Sequence, residues 1–268
     1  MLVEEIERIR EIHPRIGGRK LYEKLRDFQI GHGIKVGRDI FFNILRRHNL
    51  LLKNRKRRVY TTDSNHPFYK YSNLIKDIEI TGINQLWVSD ITYWRVNEHF
   101  KYISFITDAY SRKIVGYHVG DTLLTIESLQ ALTMALSQVP KANRKGLIHH
   151  SDRGIQYCSK EYVKILKRNK MLISMTQSSD PLDNSIAERV NGIIKNEYLE
   201  YYEVNSWSTA QKRLKQAVDL YNDKRLHLSL GYQTPNTIHS AEGEPPIRKW
   251  KNYYRSEKKE KELIQTQR

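Results

Sequence analysis

Between Leu86 and Trp94 the chain alternates so that Leu86, Val88, Asp90, Thr92 and Trp94 fall on one face of an extended strand. That pattern commits the segment to a sheet. It also sets a carboxylate in the middle of an otherwise apolar face, which is costly unless the acid is paired or holds a metal. A salt bridge or a sheet-edge position accounts for a lone Asp equally well. Residues 86–96, 102–107 and 114–119 are β-branched and aromatic runs, broken at Asn97-Glu98 and Ser111-Arg112, and they predict an antiparallel meander. A helix over 125–138, a strand over 147–150, a helix over 161–170 and a strand over 172–175 follow. Helices over 185–199 and 209–226 close the region. Three strands followed by alternating helix and strand describe an α/β layer fold with a mixed sheet.

The chain ahead of this region has a different texture. Residues 1–58 read as a basic helical module. Ile6, Ile9 and Ile12 make a short stripe, Gly17-Gly18 break it, residues 19–28 resume it, and Gly31 and Gly33 turn it. Ile40, Phe41, Ile44 and Leu45 then form an apolar face within 36–50. Short helices separated by glycine turns suit a helix-turn-helix reader of DNA. The module ends in a basic cluster whose Arg55, Lys56, Arg57 and Arg58 suit phosphate contact. Residues 59–82 lack periodicity and read as a linker, 83–241 as the core with its closing helices, and 242–268 as a charged, partly disordered tail.

Bulk charge narrows the partners. With 46 Lys and Arg against 30 Asp and Glu, the formal charge of +16 attracts polyanions, nucleic acid above all. A single cysteine, Cys158, excludes a disulfide framework and a cysteine-based zinc site. No apolar run is long enough to cross a membrane, and the charged start MLVEEIERIR does not read as a signal peptide. The expected setting is a reducing cytoplasm.

Two further acids stand out. Asp152 follows the apolar strand 147–150, and carboxyl ends of strands are where sites gather in open α/β sheets. Ordinary turn chemistry before Gly154 is the alternative. Glu188 lies on a helix opposite Ile186, Val190, Ile193 and Ile194, and shares its face with Asn191 and Lys195. Here the alternative is a capping box, Ser185-x-x-Glu188, in which the carboxylate only reaches back to a backbone N–H. His149 and His150 read as satisfied strand histidines rather than partners of Asp152.

Taken together, the motifs carry a resemblance. They are Trp87-Val88-Ser89-Asp90-Ile91-Thr92-Tyr93, Asp108-x-x-Ser111-Arg112-Lys113-Ile114-Val115-Gly116, His150-Ser151-Asp152-Arg153-Gly154-x-Gln156-Tyr157, and Asp183-Asn184-x-x-Ala187-Glu188. Lys195-x-Glu197 and Tyr221-Asn222-x-x-Arg225-x-His227 follow. The chain resembles DDE-type insertion-sequence transposases, in particular the second-frame (OrfB) protein of the insertion-sequence family with two overlapping reading frames. It departs from them at Ser179-Asp180-Pro181, where members usually carry a Gly before the Pro.

The resemblance implies an RNase H-like core in which Asp90, Asp152 and Glu188 hold two Mg²⁺ ions, with Mn²⁺ a possible substitute. Asp90 would bridge both ions, Asp152 and Glu188 each completing one. It further implies DNA strand cleavage by water and strand transfer by a DNA 3′-OH, with Lys195 and Asn191 contacting the backbone of the element end. Asp108 is expected to be structural. Implied partners are double-stranded DNA, further copies of the chain assembled on it, and a first-frame (OrfA) protein, with the protein associated with the nucleoid. The competing readings are an RNase H-like nuclease that does not join strands, a regulatory DNA-binding protein derived from a transposase, and a basic structural protein of the chromosome.

Overall fold

The computed structural model describes residues 1–52, 66–76, 78–177 and 184–240. The basic start folds as four short helices, α1 (Leu2–Ile12), α2 (Gly18–Lys24), α3 (Arg26–Gly31) and α4 (Arg38–Arg47). They share a core of Ile6, Ile16, Leu21, Leu25, Phe41 and Leu45. Two of the expected apolar positions turn outward: Ile12 is 51% exposed and Ile40 58%. The helix expected over 19–28 is broken at Leu25, which caps α2 and leads into α3. Gly18 allows α2 to approach α4, because an added Cβ would lie 2.9 Å from the Phe42 ring. The basic cluster Arg55, Lys56, Arg57 and Arg58 lies outside the described residues.

The sheet has the order β3-β2-β1-β4-β5. β1 (Leu86–Val96), β2 (His99–Asp108) and β3 (Ile114–Gly120) form the antiparallel meander. Asn97, in the left-handed region with φ 54°, makes the tight turn between β1 and β2. β4 (Ile148–Ser151) and β5 (Leu172–Met175) add in parallel, so the sheet is mixed as the sequence implies. α5 (Thr125–Ser137) crosses from β3 to β4, and α6 (Ile155–Cys158) with α7 (Lys160–Arg168) from β4 to β5. Gly116 is required by this packing, since a Cβ there would run into the Ala131 carbonyl of α5.

Each sheet face buries its own core. Trp87, Ile91, Ile106 and Val115 pack with Ala131, Leu132, Tyr162 and Leu166 of α5 and α7. Trp94, Ile103, Phe105 and Val119 pack on the opposite face with residues of α8 (Ser185–Ile193) and α9 (Trp207–Asp223), including Val190, Leu214 and Val218. The helix expected to run unbroken to residue 199 instead changes at Ile194–Tyr198 into one π-helical turn. Such turns insert one extra residue, occur mostly inside α-helices and are frequent at functional sites. α10 (Pro235–Ser240) ends the described chain.

The described part of the expected linker is packed rather than free. Phe68 and Tyr71 lie against the α5–α7 core, and Ile75 and Ile80 against Leu86 and Val88. The Met175 N–H donates to Ser72 O at 3.3 Å and the Leu74 N–H to Ser174 Oγ at 2.9 Å, so this segment runs beside β5. At the other end of the sheet, Asn222 accepts from the Ile114 N–H and donates to Ile114 O, both at 3.0 Å, doing for β3 what a further strand would do.

Candidate active site

Asp90 sits midway along β1, opposite Phe105 of β2, on the face that α8 covers. β4 pairs with β1 only as far as Ser89↔Ser151, so Asp152 emerges one residue beyond the ladder and beside Asp90. Gly154 donates its N–H to Asp152 Oδ1 at 3.0 Å, which fixes the turn after the strand. Glu188 lies in the first turn of α8 and is exposed. Burial first, then the charge of Asp152 and that of Glu188, raise the Asp90 carboxyl well above its ordinary range. Asp90 is thus the acid on which the charges of Asp152 and Glu188 both bear.

Two hydrogen bonds hold Asp90. Its Oδ1 accepts from the Ile91 N–H at 2.9 Å, and its Oδ2 accepts from Asn191 Nδ2 at 2.8 Å. Asn191 is buried, 6% exposed, so its side chain faces the acid and not the outward position suggested by the sequence. Lys195 is likewise turned inward: its Nζ lies 3.3 Å from the centre of the Tyr93 ring and 3.9 Å from Glu200 Oε1. Both side chains make contacts within the protein, Asn191 with Asp90 and Lys195 with Tyr93 and Glu200.

The capping alternative for Glu188 is out of register. The N-cap of α8 is Asn184, the helix has no side-chain cap, and the Glu188 N–H donates to Asn184 O. A capping box needs its acid at the third helical position, and Glu188 is at the fourth. Asn184 is a residue that sequence reasoning missed. Its Nδ2 donates to Ser89 O at 3.2 Å and ties the start of α8 to β1, one residue from Asp90. Its only signal was its place in the Asp183-Asn184 motif. The loop 178–183, with the departure at Ser179-Asp180-Pro181, lies outside the described residues.

The histidines beside Asp152 serve the fold. His149 Nε2 lies 3.0 Å from Ser89 Oγ and 2.9 Å from Tyr162 OH, and burial pushes its pKa down to about 3. His150 Nδ1 lies 2.8 Å from Ser174 Oγ. Asp108 is fully buried and structural, its Oδ1 accepting from the Ser111 N–H and Oγ–H and its Oδ2 from the Asn84 N–H.

The Lys195-x-Glu197 and Arg225-x-His227 motifs meet behind the site. Arg225 is 2% exposed and donates Nε and Nη2 to the two oxygens of Glu197, each at 2.7 Å. Burial alone would raise the Glu197 carboxyl, but the Arg225 hydrogen bonds and charge, with Lys20, outweigh it and hold it low. Lys20 of α2 lies 3.6 Å from Glu197, and His13 Nδ1 lies 3.1 Å from Tyr198 OH. The N-terminal helices are thus pinned to the π turn that follows α8.

Among the described residues no three His, Cys, Asp or Glu side chains already stand as a metal cage. The donor set nonetheless fits a hard divalent cation, because carboxylate oxygens are its preferred ligands. A half-buried carboxyl raised by two acid neighbours is also a site that a cation would relieve.

An integrase core domain family matches residues 81–181, and a second integrase core domain family matches residues 169–235. A 31 kDa protein of insertion element IS600 from Shigella sonnei is 36% identical over 222 residues, covering 82% of this chain and 79% of that protein. The transposase of insertion sequence IS629 from the same organism is 32% identical over 242 residues, covering 90% of this chain and 79% of its own. A chain of the simian T-cell lymphotropic virus intasome, solved in complex with the PP2A regulatory subunit B56 gamma, matches with TM-score 0.54 and 17% identity over 88% of this chain and 75% of that one. That likeness shows the fold, an RNase H-like core. With its integrase core and relatives of this extent, the chain belongs to the insertion-sequence transposases of the OrfB type, DDE polynucleotidyl transferases.

Proposed function

We propose that Asp90, Asp152 and Glu188 hold two divalent ions, Mg²⁺ or Mn²⁺, and that the protein uses them to cleave DNA at its element's ends and join the freed 3′-OH to target DNA. The observation that carries this is the raised Asp90 carboxyl, flanked by the charges of Asp152 and Glu188. When bound, such a pair of ions activates the attacking oxygen and stabilises the leaving one in an in-line displacement at phosphorus. Asp90 would take the central place among these ligands, since the charges of both other acids act on it. Asn191 and the Ile91 N–H hold the Asp90 carboxylate in place. Asp152 is fixed by the Gly154 turn, whereas the exposed Glu188 is free to swing toward Asp90 once their repulsion is neutralised. The residues invoked need no covalent protein–DNA intermediate.

The same reading assigns residues 1–58 to DNA binding, residues 83–241 to catalysis and Arg55, Lys56, Arg57 and Arg58 to phosphate contact. It places several copies of the chain together on DNA, with a first-frame protein as a further partner. The basic helices and the net charge support this. The test is to incubate the purified protein with Mg²⁺ and labelled ends of its own element. Nicked and joined products are expected, and both should vanish in EDTA. Cleavage that persists in EDTA overturns the metal assignment, and nicking without joining reduces the protein to a nuclease.

A further inference from the structure

We propose that the outer face of α7 is a phosphate track for duplex DNA, separate from the acidic site. α7 is firmly mounted. Tyr162 and Leu166 are buried beneath it, and Ser159 Oγ caps its start by accepting from the Tyr162 N–H. Its outer face carries Lys160, Lys164, Lys167 and Arg168, all exposed, with Glu161 as the only acid in the helix. These four cations and Val163 line a shallow groove of about 520 Å³.

Unlike several other basic residues, this set has no carboxylate partners among the described residues. Lys20 is engaged by Glu197, Lys101 by Asp121, Lys215 by Asp219 and Arg225 by Glu197. Among the described residues none of the four α7 cations pairs with a carboxylate; Lys167 lies only over the Tyr71 ring, at 5.8 Å. Four unpaired cations on one rigid face repel one another, and a polyanion laid along them removes that repulsion.

Placement fits a DNA backbone. α7 starts eight residues after Asp152, near the carboxyl end of β4, and returns along the sheet to the start of β5. From Lys160 to Arg168 the helix rises about 12 Å, the length of roughly three to four base pairs. The exposed Lys145 and Lys170 extend the face at its far end, where the Gly146 N–H donates to Lys170 O. The track therefore leads away from the acids and suits a DNA flank that is held but not cut.

The test measures binding without metal, so its outcome does not depend on the role of the acids. The full chain is titrated with two duplexes of equal length, one an element end and one unrelated, over a range of salt. K164Q/K167Q is compared with K212Q/K215Q on α9, which removes the same charge from another exposed helix. Melting temperatures of both should match the wild type. The α7 variant is expected to weaken binding and to flatten the slope of log affinity against log salt by roughly 2, about 0.9 for each phosphate left unneutralised. The α9 variant should change the slope little. Weaker binding to both duplexes assigns the track to DNA in general, and weaker binding to one assigns it to that flank. An α7 variant that binds like the wild type, or that is weakened no more than the α9 variant, overturns the proposal and returns these cations to a solvated face.

Discussion

Asn191 Nδ2 donates to Asp90 Oδ2 at 2.8 Å, joining a helix and a strand whose residues lie 101 positions apart in the chain. The other end of that amide, Oδ1, is buried and has no hydrogen-bond partner among the described residues. The side chain thus orients the acid while keeping one acceptor in reserve. Asn191→Ala should fold and bind DNA but need more Mg²⁺, with activity reduced about 10–100-fold, the usual cost of losing a group that orients a metal ligand. A metal titration of cleavage checks this. An unchanged half-saturating concentration would make the hydrogen bond purely structural.

Glu188→Gln separates catalysis from helix capping. Because α8 is capped at Asn184 and not at Ser185, both Glu188→Gln and Ser185→Ala should leave the melting temperature near the wild type. Glu188→Gln should nonetheless lose cleavage and joining by about 10²–10³-fold or more, the scale of losing a preorganised charge at a reacting phosphate. Asp90→Asn should lose activity similarly. It should melt no lower than the wild type, since a charge crowded by Asp152 and Glu188 disappears and the Asn191 amide can flip to present Oδ1. A gel of labelled ends, read beside thermal melting, scores all three.

The Glu197–Arg225 pair is a place where half a pair is worse than none. Arg225→Met leaves Glu197 charged among buried groups and should cost about 3–5 kcal/mol in a denaturant titration. Glu197→Gln combined with Arg225→Met should recover part of that loss. Lys20→Met should cost less, because Lys20 lies at 3.6 Å against the 2.7 Å bonds of Arg225. An Arg225→Met protein as stable as the wild type would show that the pair contributes nothing.

His13 makes the junction between the N-terminal helices and the π turn sensitive to acid. Burial, with Lys24 and Arg225 nearby, pushes its pKa down to about 4 from 6.5. The unfolded chain therefore binds this proton first on acidification. The stability that His13 contributes is complete above pH 6.5 and is lost as the pH falls toward 4, with a slope of up to about 1.4 kcal/mol per pH unit. Urea midpoints at about pH 7.5 and about pH 5, on either side of the unfolded-state pKa, should differ more for the wild type than for His13→Phe. Equal differences would place the acid sensitivity elsewhere.

How much of this was legible in the sequence depends on whether the signal was local. The two-residue alternation around Asp90 set β1 to the residue, and Asn97 marked its turn, because both are properties of one strand. The spacing of helix and strand placed Asp152 after β4. The π turn was not legible, since Ile193, Ile194 and Tyr198 remain apolar and buried whether or not an extra residue is inserted. The inward aim of Asn191 needed the partner strand, which no helical wheel supplies. The competing capping box Ser185-x-x-Glu188 missed the observed helix start by a single position, as helix ends readily do. Phe68, Tyr71, Ile75 and Ile80 gave no periodic signal because they pack singly along a sheet margin and not on a helix or strand of their own.

That margin bears on how the enzyme can be divided. Asn222 occupies the outer hydrogen-bonding groups of β3 at Ile114, and the chain at Ser72 occupies those of β5 at Met175. An unguarded strand is a template for another chain, and this sheet has neither rim bare at those positions. A fragment begun at residue 83, where the strand pattern starts, would strip the guard from β5 and invite fibrous or amorphous association between copies. A catalytic fragment is therefore expected to need the stretch from about His66 onward to keep the outer edge of β5 covered, although that stretch contributes no acid to the site.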